Sequence, residues 1–299
     1  MTAWPELPYT DWESTKQTLH RYAQIVGKLR MALVPPRNHW WHVTLYVSAR
    51  GLTTGSMPYG DRAVEVELDL VEHRLAVRAS DGRSAGFALQ HRPACAHFYA
   101  DLFAALADVG VAAEIDPRPF DLGDSPPFPD DTEHDSYDAG AVARFGQILR
   151  LTDAVLARFR SGFAGKASPT QLFWHSFDLA HARFSGRRAP AMPDADRVTR
   201  EAYSHEVIAF GWWPGDDRRT PYPAFYSYTA PEPAGLRDGP LAPAAAGWQD
   251  TGNGSLAILP YDAVREAADP GADLLAFFES AYAAGVAAAG WDAEALARR

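Results

Sequence analysis

Two periods in the placement of apolar residues predict a chain that contains both helices and strands. Four segments repeat apolar side chains every three to four positions, as amphipathic helices do: residues 11–33, 94–109, 139–164 and 272–289. Other segments alternate or concentrate apolar side chains, as buried strands do: residues 39–50, 64–78, 171–183, 205–213, 222–229 and 255–260. We therefore expect an α+β protein whose strands are mainly antiparallel.

A segment rich in proline and acidic residues divides the chain. Residues 116–138 contain five prolines and eight acidic residues, a composition that cannot form a core element. We interpret this segment as a connector between an N-terminal half, residues 1–115, and a C-terminal half, residues 139–299. Phe120 and Phe128 could pin the connector across the surface, and we expect the two halves to form one intimate unit.

Each half carries a Trp-His pair followed by an arginine eight residues after the histidine. The first copy is Trp41-His42 with Arg50, and the second is Trp174-His175 with Arg183. Both halves also follow the order of a long helix ending in Gly-Lys, proline, strands and a closing helix. This shared order indicates two similar helix–antiparallel strands–helix halves that arose by internal duplication.

The spacing within each copy limits what it can bind. Residues eight apart on a strand share a face but lie about 26 Å from each other, so one small ligand cannot contact both. If the halves are related by a pseudo-twofold axis and the two strands run antiparallel, His42 approaches Arg183 and His175 approaches Arg50. The sequence therefore predicts a site that is assembled between the halves.

A polar stripe on the first helix is a second candidate feature. His20, Gln24 and Lys28 are spaced four residues apart and share one face. The stripe either faces solvent or forms the rim of a polar pocket. Tyr46 and Arg50 belong to the polar, aromatic-rich face of the strand at 39–50, which suits the floor of a cleft.

Composition narrows the range of partners and locations. The 299 residues carry a formal net charge of −10, which disfavours binding to nucleic acid and to anionic membranes. Cys95 is the single cysteine, which excludes an internal disulfide and predicts a packed thiol. The N-terminus lacks the features of a signal peptide, and no stretch approaches the roughly 20 apolar residues of a membrane helix. We therefore expect a cytoplasmic protein.

Basic and titratable residues gather on the motif segments of this acidic chain, which indicates a site for an anionic or polar small molecule. His42 and His205 are candidate general bases, with Glu206 or Asp178 to orient them. The substrate-binding candidates are cationic and aromatic residues of the same segments: His20, Lys28, Tyr46, Arg50, Lys166, Trp174, Arg183 and Tyr226. The structural alternative is that the carboxylates and arginines pair with one another and lock the halves together.

Two further chemistries would use the histidines differently. A mononuclear zinc or iron site would draw its ligands from His39, His42, His175 and His205, although the chain has no HExxH motif and no pair of cysteines. The segment from His42 to Leu45 also matches the His-x-Thr-apolar motif of two-histidine phosphoesterases, but the sequence after His175 lacks the second hydroxyl at the required position. The sequence contains no nucleotide-cofactor motif and no serine-hydrolase motif.

Segments along nearly the whole chain resemble one bacterial family, and they occur in the same order. They are WPELPYTDW, TLHRYAQIVGKLR, NHWWHVTLYVSARGLTT, FWHSFDLAHARFSGR, YSHEVIAFGWWPG, FYSYTAPEP, ILPYDAVR and AGWD. Together they resemble the family catalogued as domain of unknown function 5996. The resemblance implies one conserved unit of this length and implies no particular activity.

The predicted function is that of a small-molecule enzyme whose pocket lies between two pseudo-symmetric halves and is lined by His, Arg and Lys side chains. The alternatives are a non-catalytic binding protein with a duplicated fold, a zinc- or iron-dependent enzyme, and an interaction protein without a pocket. A closed polar pocket containing His42 or His205 would favour the enzyme. A wide apolar cavity would favour the binding protein, and an exposed apolar patch would favour the interaction protein.

Overall fold

The structure is a computed structural model that describes residues 4–123, 125–217 and 220–298. Within these ranges the α-helices are α1 (Tyr9–Leu33), α2 (Cys95–Asp108), α3 (Ala139–Ser161), α4 (Arg197–Ala202), α5 (Tyr261–Arg265), α6 (Pro270–Ala289) and α7 (Ala293–Leu296). The strands of the N-terminal half are β1 (Tyr46–Val47), β2 (Gly51–Thr53), β3 (Met57–Tyr59), β4 (Arg62–Asp69), β5 (Arg74–Ala79) and β6 (Ser84–Ala88). Those of the C-terminal half are β7 (Gln171–Phe173), β8 (Asp178–Arg188), β9 (His205–Trp213), β10 (Ala224–Ala230), β11 (Gly247–Asp250) and β12 (Ser255–Pro260).

Each half contributes one antiparallel sheet. Sheet 1 has the order β1-β2-β4-β5-β6, with β3 also paired to β4, and sheet 2 has the order β11-β12-β10-β9-β8-β7. The predicted hairpin of residues 64–78 is β4 and β5, whose outward residues pair across the sheet, as in the ion pair of Glu67 with Arg78 at 2.8 Å. The predicted mixture of helices with antiparallel strands is confirmed.

Helices α1, α2 and α3 pack on sheet 1, helix α6 packs on sheet 2, and the sheets meet at one edge. Leu45, just before β1, and Leu172 of β7 exchange backbone hydrogen bonds of 3.0 and 2.7 Å. Helix α3 contacts both sheets, because Phe145 lies 5.8 Å from Trp212 of sheet 2 and Gly146 faces Leu70 at the end of β4. One continuous hydrophobic core therefore joins the halves.

Helix α1 lies at the centre of this core, and every residue from Thr18 to Arg30 is buried. A glycine permits its closest contact with the C-terminal half. A Cβ atom at Gly27 would lie 2.0 Å from Cδ1 of Trp174, so the indole ring occupies the space that a side chain would need. The Trp174 indole Nε1 donates a hydrogen bond of 2.8 Å to the Val43 carbonyl, which fixes the ring in place.

The connector covers the polar stripe of α1. The Gln24 side chain donates to the Phe120 carbonyl at 2.9 Å and accepts from the Phe120 N–H at 2.8 Å. Arg21 forms a buried ion pair with Asp131 at 2.9 Å, and the ring of Phe128 is fully buried. The hypothesis that this stripe faces solvent was therefore wrong: His20, Gln24 and Lys28 are all buried, and Gln24 and Lys28 contact the connector.

The predicted strand at residues 39–50 was wrong over most of its length. Residues Asn38–Trp40 form a 3-10 turn in which His39 and Trp40 have φ angles of 56° and 60°. The N–H groups of Trp41 and Val43 bond to carbonyls three residues earlier in the chain, so this backbone is satisfied locally rather than by a sheet. Within this segment, regular strand pairing begins only at Tyr46.

The predicted strand at 171–183 is real but interrupted. A turn at residues 174–177 separates β7 from β8, and Phe177 there has a φ angle of 57°. His42 and His175 therefore both lie in turns. The geometric argument that placed each histidine on one strand with its arginine does not hold for either copy.

Helix α6 also differs from expectation, since the sequence was predicted to contain no segment suited to a membrane span. Of the described helices, this one is long and apolar enough to cross a membrane by length and composition alone. In the fold, Phe277 and Phe278 of α6 are fully buried, and the Phe278 ring lies 5.9 Å from Phe210 of sheet 2. Its apolar residues are used in the core of the C-terminal half.

Candidate functional site

The two Trp-His pairs do not occupy equivalent positions. The antiparallel pairing of Leu45 with Leu172 relates the edge strands of the two halves. Trp41 precedes Leu45 by four residues, whereas Trp174 follows Leu172 by two. His42 accepts a hydrogen bond of 3.2 Å from the Arg37 N–H at its Nδ1 atom and packs 5.1 Å from the Trp40 ring. The predicted approach of His42 to Arg183 is not among its contacts.

The two motif arginines have structural partners within their own halves. Arg183 is buried, stacks 3.5 Å from the Phe159 ring centroid and 4.4 Å from that of Tyr282, and donates to the Phe159 carbonyl. Burial lowers the pKa of its guanidinium to about 10. Arg50 instead pairs with Asp69 at 2.5 Å on the outer face of sheet 1. The predicted approach of His175 to Arg50 is likewise not among the contacts of Arg50.

Several other predicted ligand-binding residues belong to the core. His20 donates from Nε2 to the Trp174 carbonyl at 2.8 Å and stacks 4.8 Å from the Phe177 ring. Lys28 is buried beside Asp116 of the connector, with 3.8 Å between the charged atoms. Tyr46 accepts a hydrogen bond of 3.0 Å from the Arg30 guanidinium, which also packs on its ring. These residues, together with Trp174, hold α1 in place.

Lys166 stands at the centre of a different group, which we call the Lys166 cluster: Lys166, His39, His205, Trp41 and Phe184. The Lys166 ammonium donates a hydrogen bond of 2.7 Å to Nε2 of His39. It also lies 5.5 Å from the Trp41 ring centroid and 5.0 Å from that of Phe184. The His39 and His205 rings are 5.7 Å apart. His39 and Trp41 come from the N-terminal half, so both halves build this cluster.

Local hydrogen bonds fix the chemical state of the two histidines. His39 donates from Nδ1 to the Ala202 carbonyl at 3.1 Å, which leaves Nε2 as the acceptor for Lys166. The Ser204 hydroxyl donates to the Glu201 carbonyl, so Nδ1 of His205 donates to Ser204 Oγ at 3.1 Å and Nε2 carries the lone pair. Burial and the nearby Lys166 charge lower the pKa of both imidazoles, which favours their neutral forms.

Lys166 is unusual among the cations of this chain. The sequence contains 25 arginines but only three lysines, and Lys16 and Lys28 are both buried. Lys166 is the exposed one, yet burial of its ammonium group by the surrounding side chains lowers its pKa. Across residues 4–123, 125–217 and 220–298, no carboxylate forms an ion pair with it. Its hydrogen-bonding partner in this region is an uncharged imidazole.

A row of tyrosines continues from the Lys166 cluster along the same face of sheet 2, and we call Tyr203, Tyr226 and Tyr228 the tyrosine row. The rings of Tyr226 and Tyr228 are nearly parallel, with 6.2 Å between centroids and an interplanar angle of 11°. The Tyr228 and Tyr203 hydroxyls share a hydrogen bond of 3.1 Å. A Cβ atom at Gly211 would lie 2.5 Å from Cζ of Tyr226, so this glycine makes room for the ring.

Asp178 anchors the far end of the tyrosine row. Its two carboxylate oxygens accept hydrogen bonds from the hydroxyls of Tyr226 and Ser176. Burial, with Asp178 as a further cause, raises the pKa of Tyr226 well above its usual value. The prediction that Asp178 orients His42 or His205 is not supported, because its hydrogen bonds go to these hydroxyls. Glu206 pairs instead with Arg187 at 2.7 Å on the opposite side of β9 from Val207.

Sequence reasoning missed parts of this region. Tyr226 and Tyr228 are two residues apart on a predicted strand, so the alternation alone places both rings on one face. Tyr203 carries no comparable signal, because it lies in the turn after α4 and meets Tyr228 only in the folded chain. His39 was a candidate metal ligand, and its pairing with Lys166 depends on a positive φ angle that the sequence does not specify.

The candidate metal ligands do not converge. Over the part of the chain that the structure describes, no group of three or more His, Cys, Asp or Glu side chains is arranged to hold a metal ion. His39 and His205 are adjacent, but His42 is bonded to Arg37, and His175 lies 6.0 Å from the Phe120 ring at the connector. Among the described residues, the four candidate histidines therefore do not form the predicted zinc or iron site.

Two open depressions are present, and neither is lined by a member of the Lys166 cluster, although the first is lined by Gly165 and Ala167 on either side of Lys166. One, of about 350 Å³, is lined by residues that include Arg160, Phe163 and Arg298. The other, of about 360 Å³, lies on sheet 1 beside Arg50 and Asp69. Neither contains His42 or His205, so neither is the closed polar pocket that was expected for an enzyme.

Cys95 is buried beside Asp131, and burial raises the pKa of its thiol to about 12, as expected for an unreactive packed cysteine.

The fold is that of an α+β protein with two antiparallel sheets. Comparison with family models gives a match over residues 4–298 to the family described as "Family of unknown function (DUF5996)". The chain belongs to this family, which confirms the resemblance seen in its sequence segments. No curated protein and no solved structure matches the chain.

Proposed function

We propose that the protein binds an anionic small molecule at the Lys166 cluster. The observation that carries this proposal is the exposed ammonium of Lys166, which is bonded to a neutral imidazole and forms no ion pair with a described carboxylate. One of its three N–H groups is used by His39, so two can donate to an oxyanion. In a protein of net charge −10, a cation left unpaired in this way is best explained by a ligand.

The surroundings of Lys166 support the same proposal. The rings of Trp41 and Phe184 restrict the long lysine side chain, so less conformational entropy is lost when an anion binds. Arg188 is paired with His205 in the register of β8 and β9 and adds a second positive charge near the cluster. Because His39 and Lys166 come from different halves, the site exists only when the halves are packed together.

An enzymatic role is the second candidate, and His205 is the observation that favours it. Its ring is half-buried, and its lowered pKa keeps Nε2 unprotonated near neutral pH. An imidazole in this state beside an ammonium group can accept a proton from a bound anionic substrate. His205 is one of the two general bases predicted from the sequence.

The proposal extends to the origin and location of the protein. Both halves consist of a long helix followed by an antiparallel sheet and a further helix, which supports an internal duplication although the Trp-His pairs are not equivalent. The acidic composition and single cysteine support a cytoplasmic location without a nucleic-acid or membrane partner.

Titration calorimetry with inorganic phosphate and with acetate tests the proposed site. We expect Lys166→Met to weaken binding by at least about tenfold, because a hydrogen bond to a charged group contributes about 1.5–3 kcal/mol. Lys166→Arg should retain part of the affinity. Binding should also weaken as the pH rises through the Lys166 pKa, which burial lowers from its ordinary value.

The control for this experiment is Arg92→Met, which removes one positive charge from the half-exposed pair of Arg92 with Asp101 in the N-terminal half. It should bind both anions as the wild type does. An independent measurement is protection of Lys166 from an amine-acetylating reagent, read by mass spectrometry, since the other two lysines are buried. Equal affinity of wild type and Lys166→Met, or absence of anion binding to the wild type, would refute the proposal.

A further inference from the structure

The tyrosine row lies on the same face of sheet 2 as the Lys166 cluster, at a distance that strand geometry fixes. Strand β9 pairs with β8 on one side and with β10 on the other. Its Val207 is paired with Phe184 of β8. Two and four residues further along β9, Ala209 and Gly211 are paired with Tyr228 and Tyr226 of β10. At about 3.3 Å per residue, Tyr228 is displaced from Phe184 by about 7 Å along the strand direction and Tyr226 by about 13 Å. Strand β9 lies between β8 and β10, so these positions are also about 10 Å apart across the strands. Of the two stacked rings, Tyr228 is therefore the nearer to the Lys166 cluster.

The floor between these two groups is made of small residues. The positions of β8 and β9 that share this face with Tyr226 and Tyr228 are Ala180, Ala182, Ala209 and Gly211. Such residues give little packing to a strand, which normally favours bulky side chains. Here they let the tyrosine rings settle on the sheet, as the close approach of Tyr226 to Gly211 demonstrates.

Hydrogen bonds hold both rings at their far ends. The Tyr226 hydroxyl donates to Asp178, and the Tyr228 hydroxyl is bonded to Tyr203. The next residue before Tyr203 is Ala202, whose carbonyl accepts from His39, so the tyrosine row and the Lys166 cluster share this turn. Both rings are only half-buried, although burial raises the pKa of each hydroxyl well above its usual value. The rings are therefore rigid but accessible.

We infer that the ligand of the Lys166 cluster is an aromatic oxyanion, with a planar ring that stacks on Tyr228 and a carboxylate or phosphate that binds Lys166. This inference rests on the proposed function and adds the chemical class of the ligand. An immobilised aromatic surface binds a planar ring at little conformational cost. Benzoate and phenyl phosphate are simple members of this class.

Matched pairs of ligands with and without the ring test the inference. Phenyl phosphate is compared with methyl phosphate, and benzoate with acetate, by titration calorimetry on the full chain. We expect the aromatic member of at least one pair to bind wild type about tenfold more tightly. Which pair responds identifies the anionic group. Lys166→Met should weaken binding of both members.

Variants of Tyr228 measure the contribution of its ring to binding separately from that of the anion site. Tyr228→Leu should reduce the preference for the aromatic member to about one without changing the affinity for methyl phosphate or acetate. Tyr228→Phe, which keeps the ring and loses the hydroxyl, should retain most of the preference and guards against a folding defect in the leucine variant. Tyr222→Leu, at an exposed tyrosine in the loop before β10, is the matched control.

The outcomes distinguish this inference from the proposed function. If wild type binds both members of each pair equally, or if Tyr228→Leu keeps the aromatic preference, the inference is wrong while the anion site stands. If no anion binds wild type, both are wrong. Loss of preference in Tyr228→Leu, with retention in Tyr228→Phe and Tyr222→Leu, supports the inference.

Discussion

At the scale of single residues, two glycines matter because they leave space for an aromatic ring. Gly27 and Gly211 both stand where an aromatic ring from another part of the chain occupies the Cβ position. The sequence shows these glycines but gives no reason for them, because Trp174 lies 147 positions from Gly27. Some polar core residues follow the same logic, since His20, Arg21 and Gln24 each meet a partner that is distant in sequence.

Gly27→Ala tests the space beneath Trp174. Alanine stabilises an ordinary helix by about 1 kcal/mol relative to glycine. Here its Cβ would lie 2.0 Å from Cδ1 of Trp174, so the ring or the helix must move. We expect the free energy of unfolding to fall by about 2 kcal/mol or more, measured by urea denaturation. Gly271→Ala in α6, where the nearest atom would be 3.6 Å away, should have little effect or stabilise. An equal response of the two variants would contradict this account.

At the scale of elements, the connector packs against α1 and is not a free linker between the halves. Its composition correctly predicted a segment without regular helix or strand over most of its length. Composition could not show that Gln24, Arg21 and Lys28 would each hold a part of it, because the polar stripe on α1 has the same spacing whether it faces solvent or a neighbouring segment.

Asp131→Asn tests the attachment of the connector. The Arg21–Asp131 pair is almost completely buried, so loss of the carboxylate charge leaves a buried guanidinium without its counterion. We expect a loss of about 3 kcal/mol in the free energy of unfolding, together with faster proteolysis within residues 116–138. Asp250→Asn breaks an exposed pair with Arg237 of 3.1 Å and should cost less than about 1 kcal/mol. Similar costs for the two variants would show that burial of the Arg21 pair is unimportant.

At the scale of the whole molecule, both halves depend on buried neutral histidines. His20 links α1 to the Trp174 carbonyl, and His181 packs 6.1 Å from Phe159 within the C-terminal half. Burial lowers the pKa of each to about 3, whereas an unfolded histidine titrates near 6.5. Below about pH 6.5 the unfolded chain therefore binds more protons than the folded one.

Stability should consequently fall as the pH is lowered from 7 to 5. Each such histidine contributes a slope of about 1.4 kcal/mol per pH unit well below pH 6.5, and its contribution is fully retained above that pH. We expect one cooperative urea transition whose midpoint falls over this range, and a smaller slope in His20→Gln. His91→Gln, at an exposed position, is the control. A midpoint that is independent of pH, or an unchanged slope in His20→Gln, would refute the prediction.

The sequence by itself determined the classes of element and much of their extent. Periodicity located α1, α2, α3 and α6 within a few residues, together with the β4–β5 hairpin, β9, β10 and β12, because apolar spacing is a local consequence of which face of an element is buried. Lys166, His205 and Tyr226 were also recognised as candidate site residues from their segments.

Only the tertiary structure decided which of those candidates meet. Arg50 and Arg183 contact partners within their own halves. Lys166 instead contacts His39 of the N-terminal half, because a turn with positive φ angles places His39 against the C-terminal half. The turn at residues 174–177 likewise removed His175 from the strand that the alternation predicts. Such contacts depend on how separate elements pack, and a pattern that repeats every two to four residues contains no information about a partner more than a hundred residues away.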